Sequence, residues 1–100
     1  MWTTTLRAGE GAQIGQAEVR AFEVFTNGAM LTIKAPNLLL SSSRRQPLAT
    51  HAGLSLVSIR ARDRIKIGEE IELLVVGFKG TGVRLAVDCP KDLLIGVLTG

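Results

Sequence analysis

The chain has 100 residues, 46% of them apolar, a formal charge of +3, one cysteine (Cys89), one histidine (His51) and no tyrosine. That length suits one compact domain, since two independent modules of half the size would each be marginal. The composition excludes disorder, a disulfide framework and a cysteine-rich zinc site, and it leaves few groups for general acid–base catalysis, so no enzyme and no cofactor are expected.

No segment carries a sustained 3.6-residue period with caps at both ends, so the chain is read as all-β. In chain order, Leu6-Arg7-Ala8, Glu10 and Ile14-Gly15 open the first half, and residues 18–24 alternate less regularly. Phe25-Thr26-Asn27-Gly28 reads as a hairpin turn. Leu31 and Ile33 belong to a strand that Pro36 closes, because proline cannot donate into a ladder. An apolar run, Leu38-Leu39-Leu40, follows. Residues 41–47 are polar and turn-prone and read as a linker. Beyond it, short β-branched runs bounded by glycines predict strands over 54–60, 64–67, 70–78, 82–88 and 93–98. No apolar run reaches the ~18 residues of a membrane span, and no basic-then-apolar leader opens the sequence. A cytoplasmic protein with no membrane partner is expected.

The two halves repeat one another. Leu6-Arg7-Ala8, Glu10 and Ile14-Gly15 match Ile59-Arg60-Ala61, Asp63 and Ile67-Gly68 at a spacing of 53. Leu31, Ile33, Ala35-Pro36 and Leu39-Leu40 match Leu85, Val87, Cys89-Pro90 and Leu93-Leu94 at a spacing of 54. The extra residue of the second copy is assigned to the hairpin turn, Phe25-Thr26-Asn27-Gly28 against Phe78-Lys79-Gly80-Thr81-Gly82. Charge is less even. Residues 1–40 balance to zero, residues 41–64 carry Arg44, Arg45, Arg60, Arg62 and Arg64 against Asp63, and residues 65–100 are slightly acidic. A basic block of this kind suits a polyanion such as nucleic acid, or else serves as a solvated linker face.

The second copy strongly resembles the carbon storage regulator family (CsrA/RsmA). The residues that carry the likeness are Ile67-Gly68-Glu69-Glu70-Ile71 and the run Gly77-Phe78-Lys79-Gly80-Thr81-Gly82-Val83-Arg84-Leu85-Ala86-Val87-Asp88-Cys89-Pro90-Lys91-Asp92. The first copy is similar through Arg7, Gly9-Glu10, Ile14-Gly15, Asn27-Gly28 and Ala35-Pro36. The resemblance implies homodimers of five-stranded subunits with interleaved sheets, in which the first strand of one subunit pairs with the fifth of the other. The expected architecture here is two such repeats, residues 1–41 and 54–100, joined by residues 42–53. They would share one core as an intramolecular strand-swapped pseudo-dimer. The family's C-terminal helix is not expected before Gly100.

The resemblance also implies binding of GGA-containing loops in messenger RNA and control of translation. The family's Leu-Thr-Arg-Arg falls on Val57, Ser58, Ile59 and Arg60 in the second copy and on Thr4, Thr5, Leu6 and Arg7 in the first. Its arginine after the fifth strand falls on Val97 and, in the first copy, near Ser43, with Arg44 and Arg45 just beyond. The expected RNA-binding residues are therefore Arg44, Arg45, Val57, Ser58, Arg60 and Arg7. One site would join residues 2–7 with 93–98 and lacks the arginine; the other would join 55–60 with 38–45 and keeps it. The expected partner is single-stranded or hairpin-loop RNA, with a protein antagonist and further self-association as the other partner readings. A protein-interaction module that has lost RNA binding is the alternative function.

The remaining candidates have plainer readings. Arg7 and Arg60 serve either RNA or protection of a sheet edge. Arg62, Arg64, Lys79 and Arg84 read as solvated charge, and Cys89 as a buried small apolar group. Strand spacing assigns Phe22, Phe25 and Phe78 to the core rather than to base stacking, while Trp2 stays open. His51 lies in the linker, and no metal or catalytic role is expected for it.

Overall fold

The computed structural model describes residues 2–35, 40–42, 49–51 and 53–98. The described chain is all-β. Its strands are β1 (Trp2–Arg7), β2 (Gly11–Ile14), β3 (Ala17–Val24), β4 (Ala29–Lys34), β5 (Leu40–Ser42), β6 (Ala49–His51), β7 (Leu54–Ile59), β8 (Arg64–Ile67), β9 (Ile71–Lys79), β10 (Gly82–Asp88) and β11 (Ile95–Leu98). The strands form two sheets, ordered β1-β10-β9-β8-β5 and β11-β2-β3-β4-β7-β6, with every neighbouring pair antiparallel.

Each sheet is centred on one three-strand meander. Tight turns join β2-β3-β4 in the first half and β8-β9-β10 in the second. A meander alone has two bare edges, each a row of unpaired N–H and C=O groups. The other half covers both. β1 lies along β10 and β5 along β8; β7 lies along β4 and β11 along β2. The expected pairing of first strand with fifth strand is therefore corrected. Pairing β1 with β11 would leave meander edges open, whereas the observed arrangement closes all four.

Period-2 alternation explains which faces meet. β7 reads exposed Leu54, buried Ser55, half-buried Leu56, buried Val57, half-buried Ser58, buried Ile59, and β8 alternates in the same way. The inward residues of both halves make one continuous buried cluster. It includes Leu6, Ile14, Val19, Leu31 and Ile33 from the first half and Ile59, Ile65, Leu73, Leu85 and Val87 from the second. Trp2, Phe78 and Cys89 pack at its margin, partly buried.

Two glycines mark where a first strand runs close to a hairpin. A Cβ on Gly82 would meet Thr5 Cγ2 at 2.6 Å, and one on Gly28, its counterpart 54 residues earlier, would meet the Ile59 carbonyl at 3.1 Å. The sequence match between the halves thus extends to the points where β1 and β7 approach the opposite half.

The structure also relocates the extra residue of the second half. The two hairpins assigned to it are equal in length, since Val24 pairs with Ala29 and Phe78 with Val83. The difference lies one turn earlier: Ile14 pairs with Ala17, but Ile67 with Ile71. Phe25 therefore corresponds to Lys79, not to Phe78, and matching the two phenylalanines was a coincidence of residue type. The segment expected to be a plain linker also contributes strands, β5 across its start and β6 within it. β6 pairs with residues 54–56 of β7.

Candidate nucleic-acid interface

Both first strands end in an arginine held by the same turn. In the first half the Arg7 N–H donates to Glu10 Oε1 at 2.7 Å, and the Glu10 N–H donates back to the Arg7 carbonyl at 2.9 Å. In the second half the Arg60 N–H donates to Asp63 Oδ2 at 2.8 Å, and the Asp63 N–H to the Arg60 carbonyl at 3.1 Å. Each turn is clamped onto its neighbouring meander. Gly9 N–H and Ala21 N–H donate to the carbonyls of Ala21 and Glu10, and Arg62 N–H and Val75 N–H to those of Val75 and Asp63. A carboxylate three residues after the arginine thus closes the turn by accepting its main-chain N–H. This leaves the guanidinium free to point outward.

Arg7 and Arg60 are both exposed. Arg20 is tied to Glu18 at 2.8 Å, and Arg64 lies 3.8 Å from Glu72. Among the described residues no such carboxylate engages the side chain of Arg7 or Arg60.

The other sequence candidates divide. Ser58 is half-buried on the outward side of β7, next to Arg60. Val57 is 2% exposed and packed in the core, so its side chain cannot meet a ligand and only its main chain remains for that role. The cause is the pleat, which turns Val57 inward with Ser55 and Ile59. Arg44 and Arg45 lie outside the described residues. Arg62 and Arg64 are exposed, as are Lys79 and Arg84 on the outer side of the other sheet.

The surroundings of the two arginines differ. β1 is the edge of its sheet, whereas β7 is flanked on its outer side by β6 over residues 54–56. Where β6 stops, an open groove of about 530 Å³ lies between the end of β7 and the β3–β4 hairpin. Phe25, Asn27, Ser58 and Arg60 line it, with main chain at Gly28. A second groove of about 530 Å³ is lined by Lys66, Glu69, Glu70, Glu72, Asp88 and neighbours. Its acidic character does not suit a polyanion.

Phe25 and Phe22 are residues that sequence reasoning misplaced. Phe25 is 49% exposed, and Phe22 is 60% exposed, so neither belongs to the core to which strand spacing assigned them. A signal was available. At the correct spacing of 54, Phe25 falls on Lys79 and Phe22 on Val76, which is 47% exposed. Both are outward positions. Among the described residues no group of three or more His, Cys, Asp or Glu side chains could hold a metal ion. Among the described residues no helix is long and apolar enough to cross a membrane.

The described residues thus form an all-β structure with exposed arginines at the matched ends of β1 and β7. In comparison with known proteins, the chain is 47% identical over 36 residues to translational regulator CsrA of Hydrogenovibrio crunogenus. The match covers 36% of this chain and 51% of the relative, about half that protein's length. The chain is CsrA-like over that stretch. No family model matches it, and no solved structure matches it significantly.

Proposed function

We propose that this chain is an RNA-binding post-transcriptional regulator that recognises unpaired GGA-containing loops in messenger RNA and modulates their translation through a single working site. The observation that carries the reading is the 47% identity to a translational regulator. The protein is then two five-stranded repeats, residues 1–41 and 54–100 joined by 42–53, in an intramolecular strand-swapped pseudo-dimer. The reciprocal placement of β1 and β5 in one sheet and β7 and β11 in the other supports this. A single buried cluster relieves each small repeat of having to be stable alone.

The working site lies at the end of β7. Arg60 and Ser58 supply side chains there, Val57 supplies main chain, and Arg44 and Arg45 come from the segment after β5. Arg7 marks the counterpart site, in which Val97 occupies the position of the second arginine. Guanidinium groups neutralise phosphates, and unpaired bases are read by main-chain groups and arginine. A protein of this kind acts by occupying its RNA, so its chemistry is binding rather than catalysis.

Electrophoretic titration of a GGA hairpin tests the reading. One RNA per chain is expected. Arg44→Ala combined with Arg45→Ala should weaken binding and flatten the salt slope by about one unit for each phosphate no longer neutralised. Two RNAs per chain, or an affinity indifferent to the double substitution, overturns the single-site form.

A second reading, a CsrA-like module that binds protein instead, is favoured by one observation. Leu94, just before β11, and Val97, within it, are 85% and 58% exposed. A pull-down that recovers protein but no RNA selects it.

A further inference from the structure

We propose that the groove at the end of β7 is a subsite for one unpaired nucleotide of RNA, with the base stacked on Phe25 and its phosphate held by Arg60. This rests on the RNA-binding reading and adds to it a residue that neither the repeat pattern nor the matched relative assigns.

Three observations carry it. The first is the pairing of groups. A nucleotide needs a flat apolar surface for its base and a cation for its phosphate. Phe25, 49% exposed on a hairpin, and Arg60, also exposed, line the same groove. The second is size and charge. About 530 Å³ lies within the roughly 300–1,000 Å³ of small-ligand pockets. Among the described residues no carboxylate lines this groove, whereas four line the groove of equal volume elsewhere. The third is asymmetry. In the other half, Phe25 is replaced by Lys79 while Arg60 is matched by Arg7. The aromatic surface therefore does not follow from the repeat: a hairpin of that geometry accepts a lysine. Folding leaves 49% of the Phe25 surface in water, and a base stacked on the ring would cover that remaining apolar face.

Asn27, also on the groove wall, places a side-chain amide beside the stacked base. It is suited to hydrogen-bond the base edge, since an amide both donates and accepts.

The test uses the full chain, the GGA hairpin, and the same hairpin with 2-aminopurine in place of each loop nucleotide in turn. Wild-type protein should quench one position selectively. Phe25→Ala should abolish that quenching and raise Kd about tenfold, with the salt slope unchanged. Phe25→Trp should retain binding, and Phe22→Ala, a ring outside the groove, should change nothing. Arg60→Ala should weaken binding and reduce the salt slope by about one. An unchanged melting temperature for Phe25→Ala shows that the fold is intact. If Phe25→Ala binds as tightly as wild type while Arg60→Ala does not, the subsite is wrong and the RNA-binding reading stands. If wild-type protein binds no RNA at all, both fall.

Discussion

The two halves share a main-chain skeleton and differ in what they hang on it. At matched positions, Ala12, Ala17, Ala21 and Ala29 in the first half correspond to Ile65, Ile71, Val75 and Val83 in the second, all of them buried. Outside the core, Lys79 corresponds to Phe25, and among the described strands only β7 carries an additional strand on its outer side. Main-chain pairing needs only the alternation of inward and outward residues, so it survives these changes. Side-chain volume and surface chemistry are set position by position, and they have drifted. A likeness between the halves therefore does not license two like sites.

The comparison breaks most sharply in the core. Leu31 and Leu85 are counterparts, 0% and 1% exposed. Truncating either to alanine should cost about 2–5 kcal/mol. Because both belong to one buried cluster, each variant should unfold in a single transition at lower denaturant. A two-phase melt with only one phase displaced would show that the halves are stable separately.

The arginine turns offer a smaller contrast. Asp63 is 7% exposed, while Glu10 is only half-buried, so water can replace the Glu10 carboxylate more readily. Asp63→Ala should cost about 2 kcal/mol and Glu10→Ala about 1 kcal/mol or less, by chemical denaturation. Equal costs would mean that burial does not distinguish the two turns.

The smallest effect concerns one backbone position. Gly9 has φ of 90° and its counterpart Arg62 has φ of 71°, the only non-glycine on the positive side among the described residues. Arg62→Gly should raise stability by less than about 1 kcal/mol, since relief of the left-handed strain is partly offset by a freer unfolded chain. Gly9→Ala should lower it by about 1 kcal/mol. A loss of stability in Arg62→Gly would show that the arginine side chain itself contributes there.

Much of this was legible beforehand. The strand-forming runs of the second half fall within one or two residues of β7 to β11, because β-branched alternation between glycines is a local signal. The Arg7–Glu10 and Arg60–Asp63 match was also visible as a motif, and its physical content is a side-chain oxygen closing a turn. What misled was a shared residue type. Matching Phe25 to Phe78 put the length difference in the wrong turn and an exposed ring in the core. Val57 fell on a family site position, yet its place in the pleat turns it inward.

Sequence alone determined the all-β class and the arginine turns, since each depends on residues close together in the chain. Which strand lies beside which was decided by tertiary structure: β1 on β10, β11 on β2 and β6 beyond β7. These pairings join segments far apart in sequence, and they are selected by the need to cover both edges of each meander while burying both inward faces in one core. The Phe25–Arg60 groove exists only as a result, because it forms where the end of one half's first strand meets the hairpin of the other.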